Sequence, residues 1–159
     1  QGWTVAKTLL GDERLMVSRV AENKRILARV RRLLKDIGLE DPALAAKAAQ
    51  IEIRLTALEA TALRLLSTFD GGGKVGAEPS MLKLQGSQLV QVQDQLLFEI
   101  AGLYGLPLDA ESRQTPNLPI YHDTVDMIGS ALFHHRGYTI AGGASEVQRN
   151  IIAQQVLGL

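Results

Sequence analysis

The stretch DPALAAKAAQIEIRLTALEATALRLLSTF, residues 41–69, decides the fold. Leu44, Ala48, Ile51, Leu55, Leu58, Ala62, Leu65 and Phe69 recur at alternating steps of three and four, the period of one helix face. Asp41 supplies an N-cap oxygen, and Pro42 fills the first helical position, where a missing N–H costs nothing. A helix this long needs partners for its apolar stripe, and its neighbours provide them. Upstream, Ala6, Leu9, Glu13, Met16, Val20, Asn23, Leu27, Val30, Leu34 and Ile37 keep the same period, which predicts one helix from Val5 to about Ile37 with Gly38 as its stop. Downstream, the glycine-rich connector of residues 70–80 leads to Pro79-Ser80 and a third helix carrying Leu82, Leu89, Val92, Leu96, Ile100 and Leu103, closed by Gly102 and Gly105.

The remainder is less regular. Residues 106–124 hold three prolines and show no period, so they read as a long loop, with a short helix from about Thr124 to Phe133. Ser145 with Gln148 three residues on has the form of a capping box for a last helix ending near Leu157. Four substantial helices and no alternating strand pattern predict an all-α, up-and-down four-helix bundle with one long connection. The expected organisation is a single helical domain over residues 1–159, cut from a longer protein, since the chain opens at Gln1 without an initiator Met.

Composition removes several function classes. Seventeen basic residues balance seventeen acidic ones, leaving no electrostatic footprint for nucleic acid or an anionic membrane. No run approaches the roughly 20 apolar residues that span a bilayer, so membrane insertion is not expected and a cytoplasmic protein is. The absence of cysteine excludes thiol nucleophiles, disulfides and zinc knuckles. Glu-x-x-His pairs of the kind that build di-iron sites in bundles are missing, and His122, His134 and His135 sit around the irregular segment, where solvated or capping roles are usual. The run GGGKVG, residues 71–76, lacks the Lys-Ser/Thr ending of a phosphate loop.

Two constellations remain. Glu13 falls inside the apolar stripe among Leu9, Leu10, Met16 and Val17. Desolvation there would raise its proton affinity and suit it to proton transfer; on pattern alone an ion pair with Arg14, or exposure at an open helix end, is the more ordinary account of the position. Asn23 in the same stripe shows that a polar residue in phase need not be chemical. The second constellation is TIAGGASEVQRNIIAQQVLGL, residues 139–159, where paired glycines let backbone approach a ligand and a helix start offers N–H groups to an anion. An ordinary capped helix start would look the same.

Together, GWTVAKTLLGDERLMV (residues 2–17) and AGGASEVQRNIIAQQVLGL (residues 141–159) resemble the first and last segments of the C-terminal helical domain of the acyl-CoA dehydrogenases, and EIAGLYG (residues 99–105) resembles a degraded form of that family's glycine-rich flavin segment. The resemblance implies an FAD-dependent oxidoreductase in which a glutamate removes the α-proton of an acyl-CoA thioester, hydride leaves the β-carbon for the flavin, and an electron-transfer flavoprotein or similar acceptor takes the electrons. Most members carry the base just before the glycine of the closing segment, where this chain has Gly142; a minority carry it on the first helix, at the position matching Glu13. The resemblance therefore implies Glu13 as the catalytic base, Arg14 and Gly143 at the substrate, and Glu99, Gly102, Ala144, Ser145 and Glu146 at the cofactor, the first two of these reaching the adenine end of FAD from a neighbouring subunit.

It also implies a homodimer or tetramer, or a heteromeric pair of the kind seen in a divergent bacterial subgroup, and a chain that is inactive without the domains that complete the site. Three departures favour an alternative, a non-catalytic helical assembly subunit that has lost flavin. Ala144 replaces a usual threonine, Glu99 a usual glutamine, and RRLLKDIGLEDPALAAK (residues 31–47) stands where Arg-x-x-Phe-Gly is expected.

Overall fold

The computed structural model describes residues 18–37, 40–71, 76–106, 125 and 127–159. Among these there is no strand, and the helices are α1 (Val20–Ile37), α2 (Pro42–Asp70), α3 (Pro79–Ala101), α4 (Ile128–His134) and α5 (Ser145–Ile151). Short 3-10 segments follow α3 (Gly102–Gly105) and α4 (His135–Thr139), and α5 continues into a π turn over Ile152–Val156, marked by a 3.0 Å bond from the Leu157 N–H to the Ile152 carbonyl.

α2 forms as its sequence dictates. Asp41 Oδ1 accepts from the N–H groups of Ala43 and Leu44 at 2.7 and 3.4 Å, a cap that contributes about 1 kcal/mol. Leu44, Ala48, Ile51, Leu55, Leu58, Ala62 and Leu65 are all buried; the Phe69 side chain lies outside the described set. The stripe meets Leu27, Val30 and Leu33 of α1 and Leu82, Leu89, Leu96, Leu97 and Ile100 of α3 in one core. Each fully buried leucine or isoleucine contributes roughly 2 kcal/mol from the apolar area it removes from water.

Paired charges on the rims read out the topology. Lys24 pairs with Glu59 and Arg31 with Glu52, so numbers rise along α1 as they fall along α2, and the two helices are antiparallel. Lys47 with Glu99, beside the packing of Leu58 near Leu82 and Leu84, sets α2 against α3 in the same sense. α3 is the central element, touched by α1, α2, α4 and α5. The bundle is therefore three long neighbours, with α2 antiparallel to α1 and α3 and these two parallel to each other, and with α4 and α5 packed on α3.

Four local expectations are corrected. The helix predicted from Val5 is interrupted: Ser18 is in a turn, Arg19 has φ 52° and α1 begins at Val20. A side-chain-bearing residue in this left-handed region costs about 1–2 kcal/mol. Contacts offset it here, because Arg19 Nη1 reaches Glu22 Oε2 at 2.6 Å and its guanidinium lies 3.5 Å from the Tyr138 ring centroid. Second, Val92 and Leu103 are exposed rather than in the core, since α3 turns a different pair of faces inward and Gly102 (φ 55°) redirects the chain before Leu103. Third, the short helix that ends at His134 begins at Ile128, entered through Met127 at φ 63°; the expected start at Thr124 lies outside the described residues. Fourth, Ser145 is not an N-cap: Ala144 (φ −55°, ψ 148°) precedes the helix, and Ser145, as its first residue, donates its hydroxyl to the Thr139 carbonyl at 3.3 Å.

Candidate functional site

The closing segment turns at Gly142 (φ 71°) and Gly143 (φ 105°), both in the left-handed region that favours glycine. A Cβ on Gly143 would lie 2.4 Å from Gln148 Nε2, so a side chain there would have to displace the end of Gln148. Two buried side chains hold this turn from inside. Lys83, near the start of α3, is wholly buried, and its Nζ donates to the Gly143 carbonyl at 2.6 Å. Gln148 of α5, 1 % exposed, directs Nε2 toward the Gly142 carbonyl at 3.3 Å, while its Oε1 meets no partner. Burial pushes the Lys83 ammonium below its ordinary range; the nearby charge of Arg19 adds to this and that of Glu146 opposes it.

Further along α3 lies a second polar layer. Gln93 Nε2 donates to Asn23 Oδ1 at 2.6 Å, and Asn23 Nδ2 donates to the carbonyls of Arg19 and Gly86 at 2.9 and 3.3 Å. Gly86 is required at this crossing, since a Cβ there would come within 2.2 Å of the Ser18 carbonyl oxygen. One residue on, Asp94, 2 % exposed, meets His135 Nδ1 at 2.7 Å through Oδ2; His135 Nε2 lies 3.8 Å from Glu22 Oε1, which also accepts from Tyr138 Oη at 3.2 Å. Burial raises the Asp94 carboxyl above its ordinary 3.8, and the hydrogen bond from His135 counters part of the rise. Tyr138 is raised too, by burial first and then by Glu22. With both imidazole nitrogens facing carboxylates, this layer knits α1, α3 and the 3-10 turn after α4 together rather than presenting a reactive group. No group of three or more His, Cys, Asp or Glu residues fit to hold a metal occurs among the described residues.

The residues singled out from sequence fall in three places. Glu13 and Arg14 lie outside the described residues. Because Ser18 and Arg19 break the helix, the phase that aligned Glu13 with Asn23 is not carried by continuous backbone. Gly143, Ala144, Ser145 and Glu146 come together at the turn, with Glu146 exposed and 3.7 Å from Arg149. Glu99 stands near the far end of α3, about 24 Å from Lys83 by the 1.5 Å rise per residue, and Gly102 lies just beyond that end. One chain therefore does not join its two flavin-related clusters.

The fit to FAD differs between those ends. The turn suits a flat polar ring edge, with half-buried backbone at Gly143 and Ala144. Ser145 would bring backbone only, since its hydroxyl faces inward. At the other end Gly102 leaves its Cβ direction open, but Glu99 presents a half-exposed carboxylate tied to Lys47, a poor partner for a phosphate. Lys83, Gln93 and Asp94 escaped the sequence reading although a signal existed: positions 83, 86/87, 90, 93/94 and 97 form a second stripe beside the leucines.

A bundle of long helices whose last helix is entered through a glycine pair held from the central helix defines the class: an all-α helical domain. The chain belongs to the acyl-CoA dehydrogenase family, matching the model of its C-terminal domain over residues 1–157. A search of curated proteins gave no match. Among solved structures the chain is similar to the Tcur3481-Tcur3483 steroid acyl-CoA dehydrogenase, with 22 % identity and a TM-score of 0.81 over 99 % of this chain and 40 % of that one. A glycine-to-alanine variant of that protein gives 22 % identity and a TM-score of 0.80 over the same shares. The ChsE4-ChsE5 complex from Mycobacterium tuberculosis gives 23 % identity and a TM-score of 0.74 over 100 % of this chain and 41 % of that one. The chain thus spans about two fifths of the solved chains it matches, and at this identity the likeness to them is one of fold.

Proposed function

We propose that this chain is the C-terminal domain of a flavin-dependent acyl-CoA dehydrogenase that takes its catalytic base from Glu13. The observation that carries the reading is the family match over residues 1–157 combined with Gly142 in the closing segment, where most members have a carboxylate. At that place the backbone is left-handed and no side chain extends. A chain that keeps the family frame and lacks this carboxylate needs a base from elsewhere, and Glu13 is the residue that the resemblance assigns. Glu13 accepts the α-proton of the thioester onto its carboxylate, and Arg14 lines the acyl-CoA pocket beside it. Gly143 allows the thioester to approach backbone, and Ala144, Ser145 and Glu146 form the turn against the flavin. Bound FAD would supply the acceptor for the β-hydride. Glu99 and Gly102 would face the adenine end of a cofactor held by another subunit.

Partners follow from the same reading: an acyl-CoA substrate, an electron-transfer flavoprotein or similar acceptor, and a second subunit. All three similar structures carry paired names and one is described as a complex, which supports a heteromeric assembly; a steroid acyl-CoA thioester is the substrate class that the name of the first brings. No helix among the described residues is long and apolar enough to cross a membrane. A second reading, a non-catalytic assembly subunit without flavin, draws on Glu99, whose carboxylate suits a lysine better than a phosphate. The test is the absorbance spectrum of the purified full-length protein, alone and with its co-expressed partner. A flavin band that bleaches anaerobically on addition of acyl-CoA thioesters is expected; a colourless preparation of both would leave the assembly reading in place.

A further inference from the structure

We infer that Lys83 and Gln148 are positioning residues of this site, a clamp that fixes the Gly142–Ala144 backbone so that the Ala144 N–H faces the ligand. The inference rests on the proposed function for the identity of that ligand, but the clamp itself rests on geometry. Lys83 donates to the Gly143 carbonyl at 2.6 Å from a wholly buried position, and Gln148 reaches the Gly142 carbonyl from the other side. Both carbonyls therefore point into the domain. In a trans peptide the N–H lies opposite the C=O, so holding the Gly143 oxygen against α3 turns the Ala144 N–H away from it, toward the open side of the turn. No acceptor for that N–H occurs among the described residues, whereas the N–H of Gly143 is taken by the Ile140 carbonyl at 3.2 Å.

Two further observations show that the arrangement is not ordinary packing. An ammonium is costly to bury, and among the described residues this one has a single carbonyl as its hydrogen-bond partner. Gln148 Oε1 is buried with no partner among the described residues, while Nε2 of the same amide reaches the turn. A bundle concerned only with stability would fill these positions with leucine or methionine. Apolar side chains would leave both left-handed glycine peptides free to rotate, and a rotated 143–144 peptide would present a carbonyl to a ligand oxygen in place of a donor.

The experiment compares wild type, Lys83→Met, Lys83→Gln and the surface control Lys24→Met in the full-length protein with its partner. Amide exchange is followed by mass spectrometry without ligand, and flavin bleaching by acyl-CoA is followed separately. In Lys83→Met, exchange across residues 139–148 is expected to quicken at least tenfold, with peptides of α2 unchanged and Tm equal or higher. The bleaching rate at saturating thioester should fall at least tenfold, with half-saturation moving less than threefold. Lys83→Gln, which keeps an N–H donor one bond shorter, should recover part of both, and it carries the test if Lys83→Met does not fold. Unchanged exchange at 139–148, or faster exchange in every helix together, would overturn the clamp. If the wild type shows no response to acyl-CoA, the proposed function falls, while the exchange result still decides the clamp.

Discussion

α2 and α3 lie side by side in one bundle, yet they obey different rules. α2 is one-sided: its apolar stripe is buried, its charges pair on the rim with Lys24, Arg31 and Glu99, and Ile53 and Leu63 on its outer side stay exposed. α3 is surrounded, and among its buried residues are Ser80, Lys83, Ser87, Gln93 and Asp94. On a one-sided helix polar residues remain in water at no cost. On a surrounded helix polar groups need partners inside, and Gln93, Asp94 and Lys83 find theirs in segments that α3 holds in place: Asn23, His135 and the glycine turn.

The comparison can be broken by substitution. Ile51→Ala on α2 should lower unfolding free energy by roughly 3 kcal/mol, the transfer and cavity terms for a well-packed aliphatic side chain, read by urea denaturation. Gly86→Ala on α3 should cost about 2–3 kcal/mol although it adds a single methyl, because the obstructing atom belongs to backbone. If Gly86→Ala is neutral, the close crossing of residue 18 over α3 is wrong.

A pH series separates the helices further. Asp94 has its carboxyl raised in the folded state, so the folded chain holds that proton more tightly than the unfolded one does. Its contribution to stability is full below the ordinary 3.8 and is lost as pH rises through the raised folded value. Asp94→Asn keeps an acceptor for His135 and removes that titration. The stability of the variant relative to wild type should therefore increase with pH above about 4, by on the order of 1 kcal/mol, and a difference independent of pH would contradict the assignment. The smallest effect belongs to the rim: Lys47→Ala should change stability by about 0.5 kcal/mol or less, since exposed pairs are screened by solvent.

The same contrast explains what was legible in the sequence. α2 could be read to within a residue because its cap, its N1 proline and its stripe are all local. The start of α1 could not, because the stripe runs in phase straight through Arg19, and the left-handed turn there is held by contacts to Glu22 and Tyr138 that no local pattern records. α3 misled in the opposite way. A single leucine stripe counted Val92 inward, whereas a helix contacted on several sides buries a second stripe of polar and small residues. The glycine pair and the last helix were visible as motifs, but their roles shifted: Ser145 binds Thr139 rather than capping, and Gln148 reaches carbonyls rather than an N–H. Lys83 falls in that second stripe, but the stripe does not name its partner, an oxygen sixty positions away in sequence.

The central claim is that the base comes from the first segment and not from the glycine turn. The most direct measurement is the rate of anaerobic flavin bleaching by saturating acyl-CoA in the full-length protein carrying Glu13→Gln. The account predicts a fall of at least about 1000-fold, near the loss expected when a positioned general base is removed, with the flavin band itself retained. Bleaching at the wild-type rate would contradict it.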